Sequence, residues 1–294
     1  MTDTIAAIAT PNGSGGIGVI RISGPDAFSM AGALFSKQRN PLSPVEQLVS
    51  HQVIHGYVFD PQENLVIDEV LLVPMAGPRS YTAEDVVEIQ AHSGAMVLRA
   101  ILEHLFRLGA RPADPGEFTK RAFLNGRIDL TQAEAVVDII NAKSANALKF
   151  AATQSLGGIR KRIDALRDRL MKLLARVEAG IDFPDDVEAF EPTASDTELM
   201  GSVLDECRGF IRQHEDACFL KDGIRIVICG PPNVGKSSLM NQLLSQDRSI
   251  VTAVPGTTRD PIEEGMNMGG IPFVISDTAG IHQTDDLVEI IGME

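Results

Sequence analysis

The run Gly230-Pro231-Pro232-Asn233-Val234-Gly235-Lys236-Ser237-Ser238 has the residue types and spacing to grip the phosphates of a nucleoside triphosphate. Its glycines let successive backbone N–H groups converge on phosphate oxygens, and a helix opening at its end adds a positive pole. Lys236 brings a point charge to the outer phosphates, and the Ser237 hydroxyl is a ligand for Mg²⁺. The flanks suit this chemistry. Ile224 to Cys229 is a short, β-branched, apolar run that predicts a buried parallel strand, and Ser238 to Leu244 reads as the opening of a helix.

Downstream, Ile271 to Ser276 predicts a second strand, ending in Asp277-Thr278-Ala279-Gly280. Asp277 stands where a carboxylate would hold Mg²⁺ through water, and the Gly280 amide where it would sense a terminal phosphate. Between the two, Pro255-Gly256-Thr257-Thr258-Arg259-Asp260 offers Thr258 as a further metal ligand. The residue after Gly280 is Ile281, so the glutamine that orients water in many GTP hydrolases is absent from that position. Hydrolysis then needs another source of positive charge. The Asn233 side-chain carbonyl lies close enough in sequence to the phosphate grip to seat a monovalent cation in place of an arginine finger.

The elements that would carry these residues fall into three blocks. In residues 1–120, Ile5, Ala7 and Ala9 alternate, a glycine-rich turn follows, and Ile17 to Gly24 resumes the alternation, predicting two strands. Gly13-x-Gly15-x-x-Gly18 matches a dinucleotide fingerprint in spacing, but a strand follows where that motif must open a helix, so a Rossmann fold is rejected. Residues 52–58, 65–73 and 86–90 read as further strands, and Ala95 to Leu108 as a helix stopped by Gly109. This block is α+β. Residues 121–220 turn helical: an alanine-rich run from Leu130, another from Ala145 to Leu156, then an apolar seam at Ile163, Leu166, Leu170, Leu173 and Val177. Pro184 and Pro192 mark a turn or link over 182–196, with a further helix to about His214. Residues 221–294 carry the phosphate loop.

Composition narrows the classes. The chain has 294 residues, 44% hydrophobic, enough for two or three domains. A formal net charge of −14 argues against a general nucleic-acid-coating surface but not against a local basic patch. Such a patch is offered by Arg160, Lys161, Arg162, Arg167, Arg169, Lys172 and Arg176, which read equally as a solvated helix face or a partner contact. Three cysteines, Cys207, Cys218 and Cys229, make no disulfide framework or Cys-x-x-Cys pair and are expected to be buried thiols. No membrane segment or signal peptide is evident, so a soluble, cytoplasmic protein is expected.

Longer motifs identify a relative. Gly18-Val19-Ile20-Arg21-Ile22-Ser23-Gly24, Tyr81-Thr82-Ala83-Glu84-Asp85 and Pro115-Gly116-Glu117-Phe118-Thr119-Lys120-Arg121-Ala122-Phe123-Leu124-Asn125-Gly126-Arg127, with the Asn233 loop, resemble the MnmE (also called TrmE) GTPases of tRNA wobble-uridine modification. The resemblance implies an N-terminal tetrahydrofolate-binding and dimerising domain, a helical domain and an α/β GTPase domain inserted into it. It implies GTP and GDP as ligands, and a flavoprotein partner, MnmG, in a heterotetramer that acts on tRNA with a formyl- or methylene-tetrahydrofolate. Folate contacts carry over to Arg21, Glu88 and Arg127, groups able to make charged hydrogen bonds. Nucleotide contacts carry over to Asn233, Val234, Gly235, Lys236, Ser237 and Ser238, to Thr252, Ala253, Val254, Pro255, Gly256, Thr257 and Thr258, and to Asp277, Thr278, Ala279 and Gly280. K⁺ ligands fall on Asn233, Thr252, Val254 and Thr257, Mg²⁺ ligands on Ser237 and Thr258, and the catalytic acid on Glu289.

The stretch from Gly230 to Glu294 is shorter than the roughly 150 residues of a whole domain. No Asn-Lys-x-Asp guanine-reading motif follows Gly280, and no Cys-x-Gly-Lys ending is present. The GTPase domain is therefore expected to be incomplete in this chain, with weak guanine selectivity. A regulatory Era-like GTPase module acting on RNA or ribosome assembly is the alternative reading; it shares the asparagine-containing loop but predicts basic accessory domains.

Overall fold

The computed structural model describes residues 3–11, 13, 15–39, 48–182, 193–229, 234–246, 263–268 and 270–277. The chain forms two compact units, Met1–Ala133 and Glu134–Glu294.

The first unit runs β1 (Ile5–Ile8), β2 (Ile17–Ser23), α1 (Ala27–Leu34), β3 (Phe35–Ser36), β4 (Ile54–Asp60), β5 (Leu65–Met75), β6 (Val86–His92), α2 (Ala95–Arg107), β7 (Arg111–Pro112) and α3 (Glu117–Leu124). The strands form one sheet in the order β3-β4-β5-β6-β2-β1-β7, antiparallel except for the parallel β1–β7 edge. Alternation along β2 sends Ile20 and Ile22 into a core shared with Val87 and Ile89 of β6, Leu72 of β5, and Leu98, Ile101 and Leu105 of α2. Each such side chain contributes about 1.5–3 kcal/mol on full burial. The same alternation puts Arg21 on the other face, directly across from Glu88 in the β2–β6 register.

Gly18 explains the spurious fingerprint. A Cβ there would lie 2.6 Å from the Leu98 side chain and 3.1 Å from the Ser93 Cα, so the close approach of α2 to the sheet favours glycine without any phosphate.

Residues beyond 120 join this unit because α3 is tied into it by charge. The Arg121 side chain is fully buried. Its Nη1 donates to the Asp3 carbonyl and Glu84, and its Nη2 to the carboxylates of Asp3 and Glu117, at 2.9–3.3 Å. Arg111 completes the network, donating to Asp3 at 2.7 Å and Glu117 at 2.6 Å. The Arg111 hydrogen bond is the chief reason the Glu117 carboxyl is pulled down to about 2.

The second unit contains α4 (Leu130–Asn141, which starts before it), α5 (Ala145–Ser155), α6 (Gly158–Asp182), α7 (Ala194–Asp222), β8 (Ile224–Ile228), α8 (Lys236–Gln246), β9 (Glu263–Met268) and β10 (Ile271–Asp277). Ion pairs fix α6 and α7 antiparallel: Arg176 meets Asp196 and Arg169 meets Glu206, so positions descend on one helix as they rise on the other. Thr193 caps α7 in a reciprocal box with Asp196, so the helix begins inside the expected link and runs past His214. Of the expected seam residues only Leu166 is fully buried, with Ile163 and Leu170 exposed.

The three-stranded sheet has the order β8-β10-β9, with β8 and β10 parallel and β9 antiparallel at the edge. Two expectations need correcting. Strand β8 is half-exposed, with Val227 54% accessible, because Ile226 and Ile228 turn toward Met240 and Leu243 of α8 while Arg225 and Val227 face outward. Cys207 and Cys229 are exposed thiols, not buried ones: Cys207 falls on the outward side of α7 and Cys229 lies just past the end of β8.

Two outcomes follow for stability. Arg121→Met would strand buried carboxylates and lower the unfolding free energy by about 3–5 kcal/mol, read by urea denaturation. Because the folded Glu117 pKa lies below its unfolded value of 4.5, its contribution is complete above pH 4.5 and is lost as pH falls toward 2. The thermal midpoint of Glu117→Gln should therefore fall less steeply than wild type across that window; parallel curves would show that Glu117 does not carry the acid sensitivity.

Candidate functional site

Two regions gather residues singled out by the sequence. In the first unit, Arg21 on β2 and Glu88 on β6 form an ion pair, with Nη2–Oε1 at 2.7 Å and Nε–Oε1 at 2.9 Å, both side chains about four-fifths buried. The pair is neutral, two-toothed in its donors and held on rigid strands. Arg127 reaches the same place by another route, following α3 and donating Nη1 to the Tyr81 carbonyl at 2.8 Å. The guanidinium carbons of Arg21 and Arg127 lie 4.6 and 5.2 Å from the centroid of the Tyr81 ring. Phe118 of α3 stands 5.5 Å from Arg21, and the Tyr81 hydroxyl shares a 2.9 Å hydrogen bond with Thr119.

Arg21 and Arg127 thus converge on one aromatic side chain, with Glu88 paired to Arg21. Tyr81, Phe118 and Thr119 sit inside the Tyr81–Asp85 and Pro115–Arg127 motifs, but nothing in the sequence marks them individually as site residues. The signal available was their spacing to charged partners, which becomes legible only when β2, β6 and α3 meet. Among the described residues Arg127 makes no ion pair, so the site carries one more positive charge than Glu88 balances. A cation facing an aromatic wall, beside a fixed carboxylate, is suited to a ligand with both an anionic group and N–H donors.

The segment that supports the Tyr81 ring is over-determined. Ala83 takes a left-handed backbone with φ of 60°, uncommon for a residue with a Cβ. The strain is held on both sides. Thr82 is fully buried, hydrogen-bonded to Ser23 at 2.7 Å, and its carbonyl accepts from Asn125 at 2.7 Å, while Ser80 donates to the Glu84 carbonyl.

In the second unit, β8 ends at Ile228 and α8 opens at Lys236, directly after Gly235. Gly235 has φ of 96°, the left-handed conformation a tight turn into a helix asks of glycine, and its carbonyl accepts from Leu239 N at 2.9 Å. The parallel register sets Asp277 beside Ile228, so the C-terminal ends of β8 and β10 lie together at the edge from which α8 departs. That edge is where open α/β sheets bind ligands. Val234 and Ser238 are exposed there. The remaining candidates lie outside the described residues: Asn233, Thr252, Ala253, Val254, Pro255, Gly256, Thr257, Thr258, Thr278, Ala279, Gly280 and Glu289, with the side chains of Ser237 and Asp277.

The basic residues of α6 are largely matched. Arg160 and Arg167 pair with Asp164, Arg167 with Asp168, Arg169 with Glu206, and Arg176 with Asp196, as on an ordinary solvated helix face. No helix among the described residues is long and apolar enough to cross a membrane.

Comparison with known proteins extends over the whole chain. Residues 4–127 match the family model described as the GTP-binding protein TrmE N-terminus, and residues 130–291 match that of the MnmE helical domain. Proteins named tRNA modification GTPase MnmE from Carboxydothermus hydrogenoformans and Geobacter metallireducens are each 48% identical across 100% of this chain. One of the same name from Streptococcus pyogenes is 48% identical across 99% of it. The chain spans 63% of the length of each of these relatives. The chain belongs to the MnmE, or TrmE, family.

Proposed function

We propose that this chain is part of a GTP hydrolase that drives modification of the tRNA wobble uridine, with residues 1–120 binding folate and dimerising, 121–220 helical and 221–294 the start of the GTPase domain. The observation that carries the nucleotide reading is the β8–Gly235–α8 turn with the end of parallel β10 alongside it. The free backbone N–H groups that open α8 would face bound phosphates, and the Lys236 ammonium would add charge.

In this reading Ser237 and Thr258 hold Mg²⁺, and Asn233, Thr252, Val254 and Thr257 hold K⁺. Bound together, the ions supply the positive charge that hydrolysis develops on the phosphate oxygens. Glu289 positions the attacking water, taking the place that a glutamine after Gly280 would have filled. Pairing of two GTPase domains, the flavoprotein partner MnmG, the tRNA and a cytoplasmic location belong to the same proposal, resting on family membership.

For folate, support comes from the Arg21–Glu88–Arg127 constellation. Glu88, fixed by Arg21, would accept N–H donors of a pterin ring, and Arg127, with no ion pair among the described residues, would meet an anionic group of the ligand.

Two measurements test the reading. The full-length protein should hydrolyse GTP at least tenfold faster in K⁺ than in Na⁺, and Asn233→Ala should abolish that difference while nucleotide binding survives; equal rates in both salts for a dimeric wild type would sink the cation mechanism. Arg127→Gln should weaken binding of 5-formyltetrahydrofolate by about 10- to 100-fold, the worth of a charged hydrogen bond, as read by calorimetry. Unchanged affinity in a folded variant would place the ligand elsewhere.

A further inference from the structure

The most over-built part of the first unit is the segment that presents Tyr81. Two guanidinium groups from distant parts of the chain rest against its ring at 4.6 and 5.2 Å. Both therefore fall within about 10 Å of each other, the Debye length near 0.1 M salt, so their repulsion is only partly screened. Glu88 offsets one of them. The electron-rich ring face offsets part of the remainder, and the Tyr81 carbonyl, accepting from Arg127 at 2.8 Å, fixes the second cation independently of any acid.

A carboxylate in Tyr81's place would have neutralised both arginines and left nothing for a ligand. A ring attracts a guanidinium without cancelling its charge. Arg127 is then held in place and still available to an anion, the requirement for a pre-organised anion site. The surrounding backbone keeps the ring fixed: Ala83 is left-handed at φ 60°, and Thr82 is buried and bonded on two sides.

We propose that Tyr81 is the positioning residue of this site, its ring and carbonyl holding Arg21 and Arg127 at a fixed separation for one anionic ligand. The role rests on the folate reading of the same site. The test is calorimetric titration of the full-length protein with 5-formyltetrahydrofolate, using Tyr81→Phe, which keeps the ring, and Tyr81→Leu and Tyr81→Met, which remove it. Thermal midpoints report whether each variant is folded, and the two ring-less variants guard against one failing to fold.

Tyr81→Phe should bind within about threefold of wild type, and the folded ring-less variants should bind roughly tenfold or more weakly, the loss of two cation–π contacts. Wild-type affinity in a folded ring-less variant overturns the positioning role while leaving the folate reading intact. Equal loss in Tyr81→Phe overturns it too, because the hydroxyl bond to Thr119 would then be the operative contact. Absence of saturable binding by the wild type removes the folate reading and this role together.

Discussion

Burial of a single guanidinium organises the first unit. Arg121 is wholly withdrawn from water, and each of its four terminal N–H bonds finds an oxygen on Asp3, Glu84 or Glu117. Its Nε alone lacks a partner among the described residues. Such a charge is tolerable in the interior only if its partners are fixed, and here they come from the chain's start, from the loop before β6 and from α3 itself. The network therefore locks three separated segments in one register. Because Phe118, Thr119 and, just beyond the helix, Arg127 ride on α3, locking Arg121 inside also sets the far side of the arginine and tyrosine cluster.

The division of labour along α3 follows from helical spacing. Glu117 and Arg121 are four residues apart, share one face and point into the network; Phe118 and Thr119 are turned toward Arg21 and Tyr81. On the sheet, period-two alternation does the same work: Ile20 and Ile22 fill the core while Arg21 between them faces the site. One helix and one strand each use one face for stability and the other for recognition.

That pattern also explains what could be read in advance. The alternation of β2, the apolar stripe of α2 ending at Gly109, and the strand–glycine–helix order around Lys236 are all period or turn signals, and they are visible in the sequence. Arg21, Glu88 and Arg127 came from motif resemblance; neither their convergence nor the part played by Tyr81 has a local signature, since Arg21 and Glu88 lie 67 positions apart and Arg127 and Tyr81 46. Helix α1 escaped because it is short and apolar nearly all round, leaving no polar face to mark a period. Strand β9, with Glu263, Glu264, Gly265 and Asn267, escaped because an edge strand need not alternate. The exposed cysteines and the half-exposed β8 were misread for one reason: apolar composition predicts burial only where something covers the face.

A chain with a formal charge of −14 need not repel anionic ligands. Screening confines each charge's influence to about 8 Å at physiological salt, so affinity is decided by the groups within a site, not by the sum over the surface. The arginines of α6, which outnumber the acids on their own helix, are answered by Glu206 and Asp196 across the helix pair and leave little field for a polyanion. Among the described residues Arg127 makes no ion pair. Lys236 opens a helix whose N-terminal dipole adds to the positive field there. At Arg127 the positive charge is held by the Tyr81 carbonyl and ring, with no ion pair among the described residues, and the aromatic ring makes that arrangement stable.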